Sequence, residues 1–561
     1  MIGLNTGYLA LRAAQQALDI IGNNVANVAT DGYRRQAPSL ASAPSLRLNG
    51  FTFGTGVTLA DIRRNHDVLL DTRLRSQLSE QSQLQAGLDL AEEAEFILGE
   101  PSDTGLAARL GAFQDALSAL TASPSDPALQ ADIVESGGTL ARQFQRLARD
   151  LDRLDGNRLG RLENTVEEIN SMGETLQDLN RDIANARSSG GVPADLIDRR
   201  DILLRDLSEL VDLDVRIAED QTAEVQVGNV LLVGRGEASR LAVFRNEAGQ
   251  ERLRVAGRDG EGFVPTGGEA LGLMATGREP VDRLRAKIDE LARGLIDAVN
   301  RVHGTGVGSS GSFTRLTSSY QVTDPGAPLV SGGLIGNLEP GAFTVSVTSE
   351  GTGEKTRTQI RFDPTRQSLS DLANQLDALD NISADVNADN GLTISSDSGF
   401  TFDFTAESGI PRDTTGVVGA LGLNAFFTGT DARSIAVSAE LQADPGRVAA
   451  SATGDTGGND NLTDLIAALD SGSELLGGLD LQDFYRREVT EIGFQVSQLQ
   501  ALGDSQSTLV SALEARQESL TGVSLEEELI ELERYQTSFE AASRYLQVIN
   551  QTTDQILSLG L

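Results

Sequence analysis

Catalysis needs reactive side chains within reach of one another, and this chain supplies few. It has two histidines, His66 and His303, far apart in sequence, and no cysteine. Thiol nucleophiles, disulfides and zinc–thiolate sites are therefore excluded. Neither histidine has a second at ligand spacing, and both read as exposed or capping residues. The two lysines, Lys287 and Lys355, follow Ala286 and Glu354, so neither closes a phosphate-binding P-loop. No G-x-S-x-G nucleophile elbow occurs. The run Gly304 to Gly311 is glycine-rich but lacks a flanking strand and helix, and reads as a linker. Asp385-Val386-Asn387-Ala388-Asp389-Asn390-Gly391 opens like a calcium-binding loop. Its glycine falls one place late, and Ser396 stands where a bidentate glutamate is required, so a solvated hairpin is predicted. The clusters Glu92-Glu93 and Glu526-Glu527-Glu528 read as solvated faces, the latter placed where a helix start favours negative charge. The residues thus point to no enzyme, no cofactor and no metal.

What the chain does supply is apolar periodicity at its two ends. Leu532, Tyr535, Phe539, Ala542, Leu546, Ile549 and Ile556 follow one another in steps of three and four, with Thr553 filling one slot. Leu4, Tyr8, Leu11, Leu18, Ile21, Val25 and Val28 give a similar stripe near the N-terminus. Such a stripe puts one seam on a helix that needs helical partners. An apolar helix face is usually ordinary core, but cores are thin at chain termini. The two stripes are expected to pair with each other and with copies of themselves, which points to assembly.

Composition narrows the class further. A chain of 561 residues exceeds one core, and about three to four domains are expected. Apolar residues make up 39% and charged residues 23%, enough for globular folding. The net charge of −36 repels phosphate backbones and anionic lipid, arguing against nucleic-acid or membrane-surface partners. No stretch approaches the roughly 18 apolar residues of a membrane helix. The N-terminus lacks a basic region, and Arg12 and Asp19 interrupt any signal-peptide core, so export would use another route.

Helices are predicted over residues 4–30, 63–98 (ended by Gly99 and Pro101), 104–122, 124–188, 193–212, 267–302, 460–470 and 480–518, followed by the terminal segment. Residues 37–58 read as irregular. Within 124–188 the stripe Leu140, Phe144, Leu147, Leu151, Leu154 skips to Leu162 across Gly156 and Gly160, which predicts a stutter or bend. The segment Ser188 to Gly191 reads as a linker. Alternating runs predict a small β region at 213–265 and a β-rich module at 340–408, with a short helix from Ser368 to Leu379 and a hairpin turn at Asn390-Gly391. The expected fold class is mixed α and β, multidomain: a terminal coiled-coil-like α-helix pair, a long-helix body with a small β region, and an inserted β-rich module.

Particular segments resemble a known family. Leu11-Arg12-Ala13-Ala14-Gln15-Gln16-Ala17-Leu18-Asp19, followed by Asn23-Asn24-Val25-Ala26-Asn27-Val28-Ala29-Thr30-Asp31-Gly32-Tyr33-Arg34-Arg35-Gln36, resembles the shared signature of the bacterial flagellar axial proteins (rod, hook, hook-associated and flagellin group), in which a helix ends at an N-x-x-T-x-G-Y turn. In this chain the turn residues are Asn27, Thr30, Gly32 and Tyr33. Gly54 to Val57 and Ile62 to Arg75 resemble the strand and long helix that follow. Pro193 to Asp201, Gly267 to His303, Leu423 to Ala432 with Ile435 to Val437 and Asp444-Pro445, and Gly522 to Glu528 resemble the hook-associated branch. The likeness is strong over 1–100, 190–213, 267–304 and 420–561 and weak over 214–266 and 305–418.

The resemblance implies a structural subunit at the junction of hook and filament, extracellular and exported without a cleaved signal. It implies copies of itself, hook protein, a second junction protein, a cytoplasmic export chaperone at the C-terminal region and the flagellar type III export apparatus as partners. It also implies an inner-tube domain made from residues 1–45 and 519–561, a helical body at 46–304 with a return segment at 421–518, and an inserted outer domain at 305–420. Two other readings are open. One is a different axial subunit of hook or rod. The other is a secreted acidic adhesin or enzyme with terminal oligomerisation helices.

Overall fold

In the computed structural model, residues 2–30, 32–48, 50–99, 102–189, 191, 193–407 and 409–559 are described. Asp31, Pro101 and Gly190, which the sequence reading used as punctuation, lie outside the described residues. The chain opens with helix α1 (Ile2–Ala26) and four strands, β1 (Gln36–Ser42), β2 (Leu46–Leu48), β3 (Phe51–Phe53) and β4 (Val57–Arg64). Helices α2 (Val68–Leu98), α3 (Leu106–Ala122), α4 (Pro127–Ser188) and α5 (Ala194–Leu210) follow. Strands β5 (Asp214–Ile217), β6 (Ala223–Val227), β7 (Val230–Val233), β8 (Leu241–Arg245) and β9 (Glu251–Val255) come next. A short α6 (Gly268–Leu271) passes through a π-helical turn at Gly272–Thr276 before α7 (Arg278–His303). The β-rich module contains β10 (Arg315–Thr317), β11 (Gly341–Ser349), β12 (Lys355–Phe362), α8 (Leu369–Asp377), β13 (Ile382–Val386), β14 (Leu392–Ser396) and β15 (Phe400–Asp403). The chain returns through α9 (Val417–Ala420), β16 (Phe427–Thr428), β17 (Ala436–Val437), α10 (Ala439–Ala443) and α11 (Asp460–Asp470) to α12 (Leu481–Thr521) and α13 (Leu525–Leu559).

The contacts divide the chain into two units. The first comprises 1–89, 158–278 and 498–561; the second comprises 90–157 and 279–497. In the first unit α1 and α13 lie antiparallel. A Cβ on Gly3 would stand 3.2 Å from Ile549, while at the other end Asn24 bonds Glu528. The segment 37–58, expected to be irregular, is instead a ribbon: β1 pairs antiparallel with β4 and β2 with β3. Its alternation is hidden by Pro38, Pro44 and three glycines, residues that edge ribbons tolerate.

The predicted stutter in α4 is absent, and the helix runs unbroken for 62 residues. The slot between Leu154 and Leu162 is filled by Arg158, which is buried. The stripe is therefore continuous, with one charged member. Arg158 is bidentate on Glu251 of β9, at 2.7 and 2.8 Å. Two further polar residues on the same helix lock strands in place. Asn170 exchanges two bonds with the backbone of Leu241, at 3.0 and 2.6 Å, and Asn180 two with Ala223, both at 2.8 Å. The small β region lies where the alternation predicted it, as the three-stranded sheet β5-β6-β7 and the hairpin β8-β9.

The second unit contains the β-rich module. Two three-stranded antiparallel sheets, β10-β14-β13 and β12-β11-β15, enclose a core that includes Phe343, Val345, Phe362, Leu392, Phe402 and Phe404. Helix α8 starts on a capping box, Ser368 with Asp371, as the S-x-x-D spacing allows. The run 304–311, expected to be a linker, is packed structure. Val307 and Ser451 exchange backbone bonds at 2.9 and 3.0 Å, and Ser310 N–H donates to Gly446 at 3.0 Å. Glycine fits there because another backbone passes alongside.

Candidate assembly surface and the polar latch at its base

The apolar stripes of α1 and α13 meet in one chain. Ile21 is buried, and Leu4, Leu11, Leu18 and Val25 are half-buried. On α13, Leu532, Tyr535, Phe539, Ala542, Leu546 and Ile549 are half-buried. The approach is close at Gly7, where a Cβ would stand 2.7 Å from the Leu546 side chain. Tyr8, Val28 and Ile556, assigned to the same stripes, are exposed instead. Also exposed are Leu529, Ile530, Val548 and Leu557, which sequence spacing placed outside the seam. The pair thus half-covers the two stripes and leaves several large apolar side chains facing solvent. The buried face of α1 is built from small residues, Ala13, Ala14 and Ala17 with Ile20 and Ile21. Such residues bring a helix close to its neighbours; a Cβ on Gly56 of the ribbon would stand 3.2 Å from the Thr6 carbonyl of α1.

Where the pair meets the rest of its unit, polar groups take over. Asn24 is wholly buried. Its Nδ2 donates to the Gln36 carbonyl at 2.8 Å and to Glu528 Oε2 at 2.9 Å, and its Oδ1 accepts from Gln36 N–H at 3.0 Å and from the Tyr33 hydroxyl at 2.9 Å. Arg35 Nε donates to the other oxygen of Glu528 at 2.6 Å, and Arg35 Nη1 to Glu527 at 2.8 Å. Every strong donor and acceptor on this Asn–Glu pair is satisfied, as burial requires. The cluster Glu526-Glu527-Glu528 is therefore not all solvated face: Glu528 is 1% exposed.

The four turn residues shape this junction. Thr30 N–H donates to the Asn27 carbonyl at 2.9 Å, Thr30 Oγ1 to Asn27 Oδ1 at 3.2 Å, and Tyr33 N–H to the Thr30 carbonyl at 3.2 Å. Gly32 sits at φ +70°, where a Cβ would stand 2.5 Å from Ile202 of α5. The turn needs glycine for both reasons. Tyr33 then reaches back to Asn24. Burial, with Asp198 and Glu528 nearby, pushes its hydroxyl up to about 12, so it remains a donor.

A second layer of charge lies beside the first. Arg34 is bidentate on Asp71 at 2.8 and 3.0 Å, and Gln517 of α12 donates to the same carboxylate at 2.7 Å. Arg64 of β4 reaches Asp198 and also Asp201, the latter at 3.0 Å. Arg200 donates to Asp201 at 2.6 Å. Burial raises the Asp198 carboxyl more than Arg64 lowers it. Burial also works against Asp201, but Arg200, Arg64 and Arg34 outweigh it and hold that carboxyl below its ordinary value. These contacts tie α2, α5, α12 and the ribbon together. In the sequence Asn24, Arg34, Arg35, Asp198 and Asp201 stand only as members of segments, with no role assigned. The signal is a pair of consecutive arginines just past the turn that follows α1, in an acid-rich chain.

The residues with catalytic potential are engaged structurally. His66 is exposed. His303, expected to be exposed or capping, is wholly buried: its Nε2 accepts Ala449 N–H at 3.0 Å and its Nδ1 lies 2.8 Å from the Asn424 carbonyl, which fixes the neutral Nδ1–H tautomer. Burial pushes its pKa down to about 4. Asn300 bonds Phe427 O at 2.7 Å and the N–H groups of Phe426 and Phe427 at 2.9 and 3.0 Å. Two of the quoted segments, 267–303 and 423–432, are thereby joined in space. In the calcium-loop lookalike, Asn387 Oδ1 accepts from the Asp389 and Gly391 amides at 3.0 and 2.9 Å, so its oxygen serves the turn. Among the described residues no three His, Cys, Asp or Glu side chains cluster as a metal site. No described helix is long and apolar enough to cross a membrane.

The family model described as flagella basal body rod protein matches residues 4–34, the helix and turn just built. That described as flagellar hook-associated protein FlgK helical domain matches residues 91–315. Flagellar hook-associated protein 1 of Salmonella typhimurium is 26% identical over 99% of both chains. The protein of that name from Escherichia coli is also 26% identical over 99% of both. That from Bacillus subtilis is 25% identical over 99% of this chain and 98% of its own. The solved structure of the flagellar hook junction protein FlgK from Burkholderia pseudomallei shares the fold, with a TM-score of 0.50 at 18% identity over 81% of this chain and 100% of that one. The helix and turn over residues 4–34 are thus similar to those of flagellar rod proteins, and the chain as a whole to a structural protein of the bacterial flagellum. Within that class, the chain is similar over its full length to flagellar hook-associated protein 1.

Proposed function

We propose that this chain is the subunit of the junction zone between hook and filament, and that it assembles homomerically through α1 and α13. The observation that carries this is the apolar surface that the helix pair leaves in water. The chain half-buries the seam around Leu546 by itself, yet leaves Tyr8 and Ile556 of the stripes, with Ile530, Val548 and Leu557, in water. Fully burying each such side chain contributes roughly 1.5–3 kcal/mol, which a neighbouring copy would supply. Apolar side chains left in water in this number along α13 are otherwise an aggregation hazard.

Copies of the chain, hook protein and a second junction protein are the proposed partners at the zone. A cytoplasmic chaperone would mask the C-terminal strip before the type III export apparatus carries the chain out, without a cleaved signal, to an extracellular position. The role is mechanical and not enzymatic; His303, neutral with both ring nitrogens bonded, supports that reading.

The test separates an exposed position from the seam. Val548→Asp alters an exposed residue, so the monomer should fold and be exported while filaments are lost. Leu546→Asp strikes the intrachain seam and should also free α13 from α1. Cells that keep full filaments with Val548→Asp would overturn the assembly role of the exposed face of α13.

A further inference from the structure

Two exposed aromatic surfaces play no part in the helix pair. The first is the tip of the ribbon, β2 with β3, where Phe51 is 70% exposed, Phe53 43% and Leu46 46%. Two three-residue strands cannot build a core to cover them. This arm also departs from the charge of the chain: 82 of the 561 residues are acidic, yet none of residues 36–60 is, and Arg47 is the only charge among them. The second surface is on the second unit, where α2 and α12 run side by side and a Cβ on Gly493 would stand 3.2 Å from the Glu95 carboxylate. Phe96 is 85% exposed there and Phe494 63%. Glu92, Glu93, Glu95 and Glu491 stand exposed around them.

Aromatic side chains left in water are costly, and they are scarce here, 4% of the chain. A molecule of net charge −36 also repels its copies, so close approach favours an acid-free arm meeting an acidic rim. We propose that the β2–β3 tip of one copy seats on the Phe96–Phe494 surface of a second copy, with Phe51 and Phe53 against the two phenylalanines and Arg47 among Glu92, Glu93 and Glu95. The inference rests on the homomeric assembly proposed above and names a contact within it. The two surfaces differ, so the contact is heterologous and can repeat from copy to copy around a ring or helix.

The natural absence of cysteine makes the test free of background. Cells lacking their own copy are given the full chain with Phe51→Cys and Phe494→Cys together, or with either alone. Flagella are isolated, oxidised and run on a non-reducing gel. The double variant is expected to give a ladder of covalent multimers and each single variant monomers only. A double variant present in flagella yet monomeric overturns the arm contact, while absence of the wild-type chain from isolated flagella overturns the assembly reading itself. If the cysteine variants are not incorporated, charge exchange decides. Arg47→Glu should lower the number of attached filaments several-fold, and adding Glu92→Arg, Glu93→Arg and Glu95→Arg should restore them. No loss with Arg47→Glu, or no restoration by the exchange, overturns the proposal.

Discussion

Asn24 and Glu528, 504 positions apart in sequence, meet at 2.9 Å with both side chains sealed from water. This bond closes the base of the terminal pair, because the remaining oxygen of Glu528 is held by Arg35 at 2.6 Å. Removing Glu528 weakens both of its partners. Glu528→Ala leaves Asn24 Nδ2 with only the Gln36 carbonyl and Arg35 with the exposed Glu527, and should cost about 3 kcal/mol, the range for breaking a buried charged hydrogen bond. Amide exchange on the monomer reads it directly: α13 should exchange faster while the second unit keeps its protection. Unchanged protection of α13 would show that the latch does not hold the pair.

Gly32 is required for two separable reasons, its positive φ and the nearness of Ile202. Gly32→Ala should destabilise the first unit by roughly 1–3 kcal/mol. Gly32→Ala with Ile202→Ala removes the side chain in the way, and relative to Ile202→Ala alone only the backbone part of the cost should remain. Urea denaturation of the four chains in this cycle gives the coupling.

His303 makes the second unit sensitive to acid. Its folded pKa of about 4 lies below the ordinary 6.5, so the unfolded chain takes up the proton first. The contribution is complete above pH 6.5 and is lost as pH falls toward 4, about 3 kcal/mol in all at 1.36 kcal/mol per unit. His303→Phe should be less stable at neutral pH, through the lost bonds to Ala449 and Asn424, but its stability should fall less steeply between pH 6.5 and 4. Parallel slopes for the two chains would contradict the buried, neutral imidazole.

Arg158 and Glu251 form a buried pair within the first unit. Arg158→Met leaves a sealed carboxylate facing only Arg245 and the more distant Arg278, and should cost about 3–5 kcal/mol. Replacing both residues, Arg158→Met with Glu251→Leu, should recover most of that loss, since an apolar pair of similar volume avoids desolvating two charges. Thermal melting of the double variant near the wild-type value is the expected result.

Local patterning determined a large part of this protein. The three–four rhythm marked α4 and both terminal helices, alternation marked the β region at 213–265 and the module at 340–408, and the turn signal Thr30-Asp31-Gly32 marked the end of the first helix. These are properties of neighbours along the chain, and a helix or strand answers to its own side chains before any distant one. Tertiary structure alone decided where polarity is buried. Nothing local distinguishes Glu528 from Glu526 and Glu527, or makes Arg158 a member of an apolar stripe, until Asn24 and Glu251 arrive from far along the chain to meet them. The glycines at 304–311 read as slack for the same reason: they are there to admit a backbone from residues 446–451, and a close approach between distant segments leaves no mark on the spacing of either one.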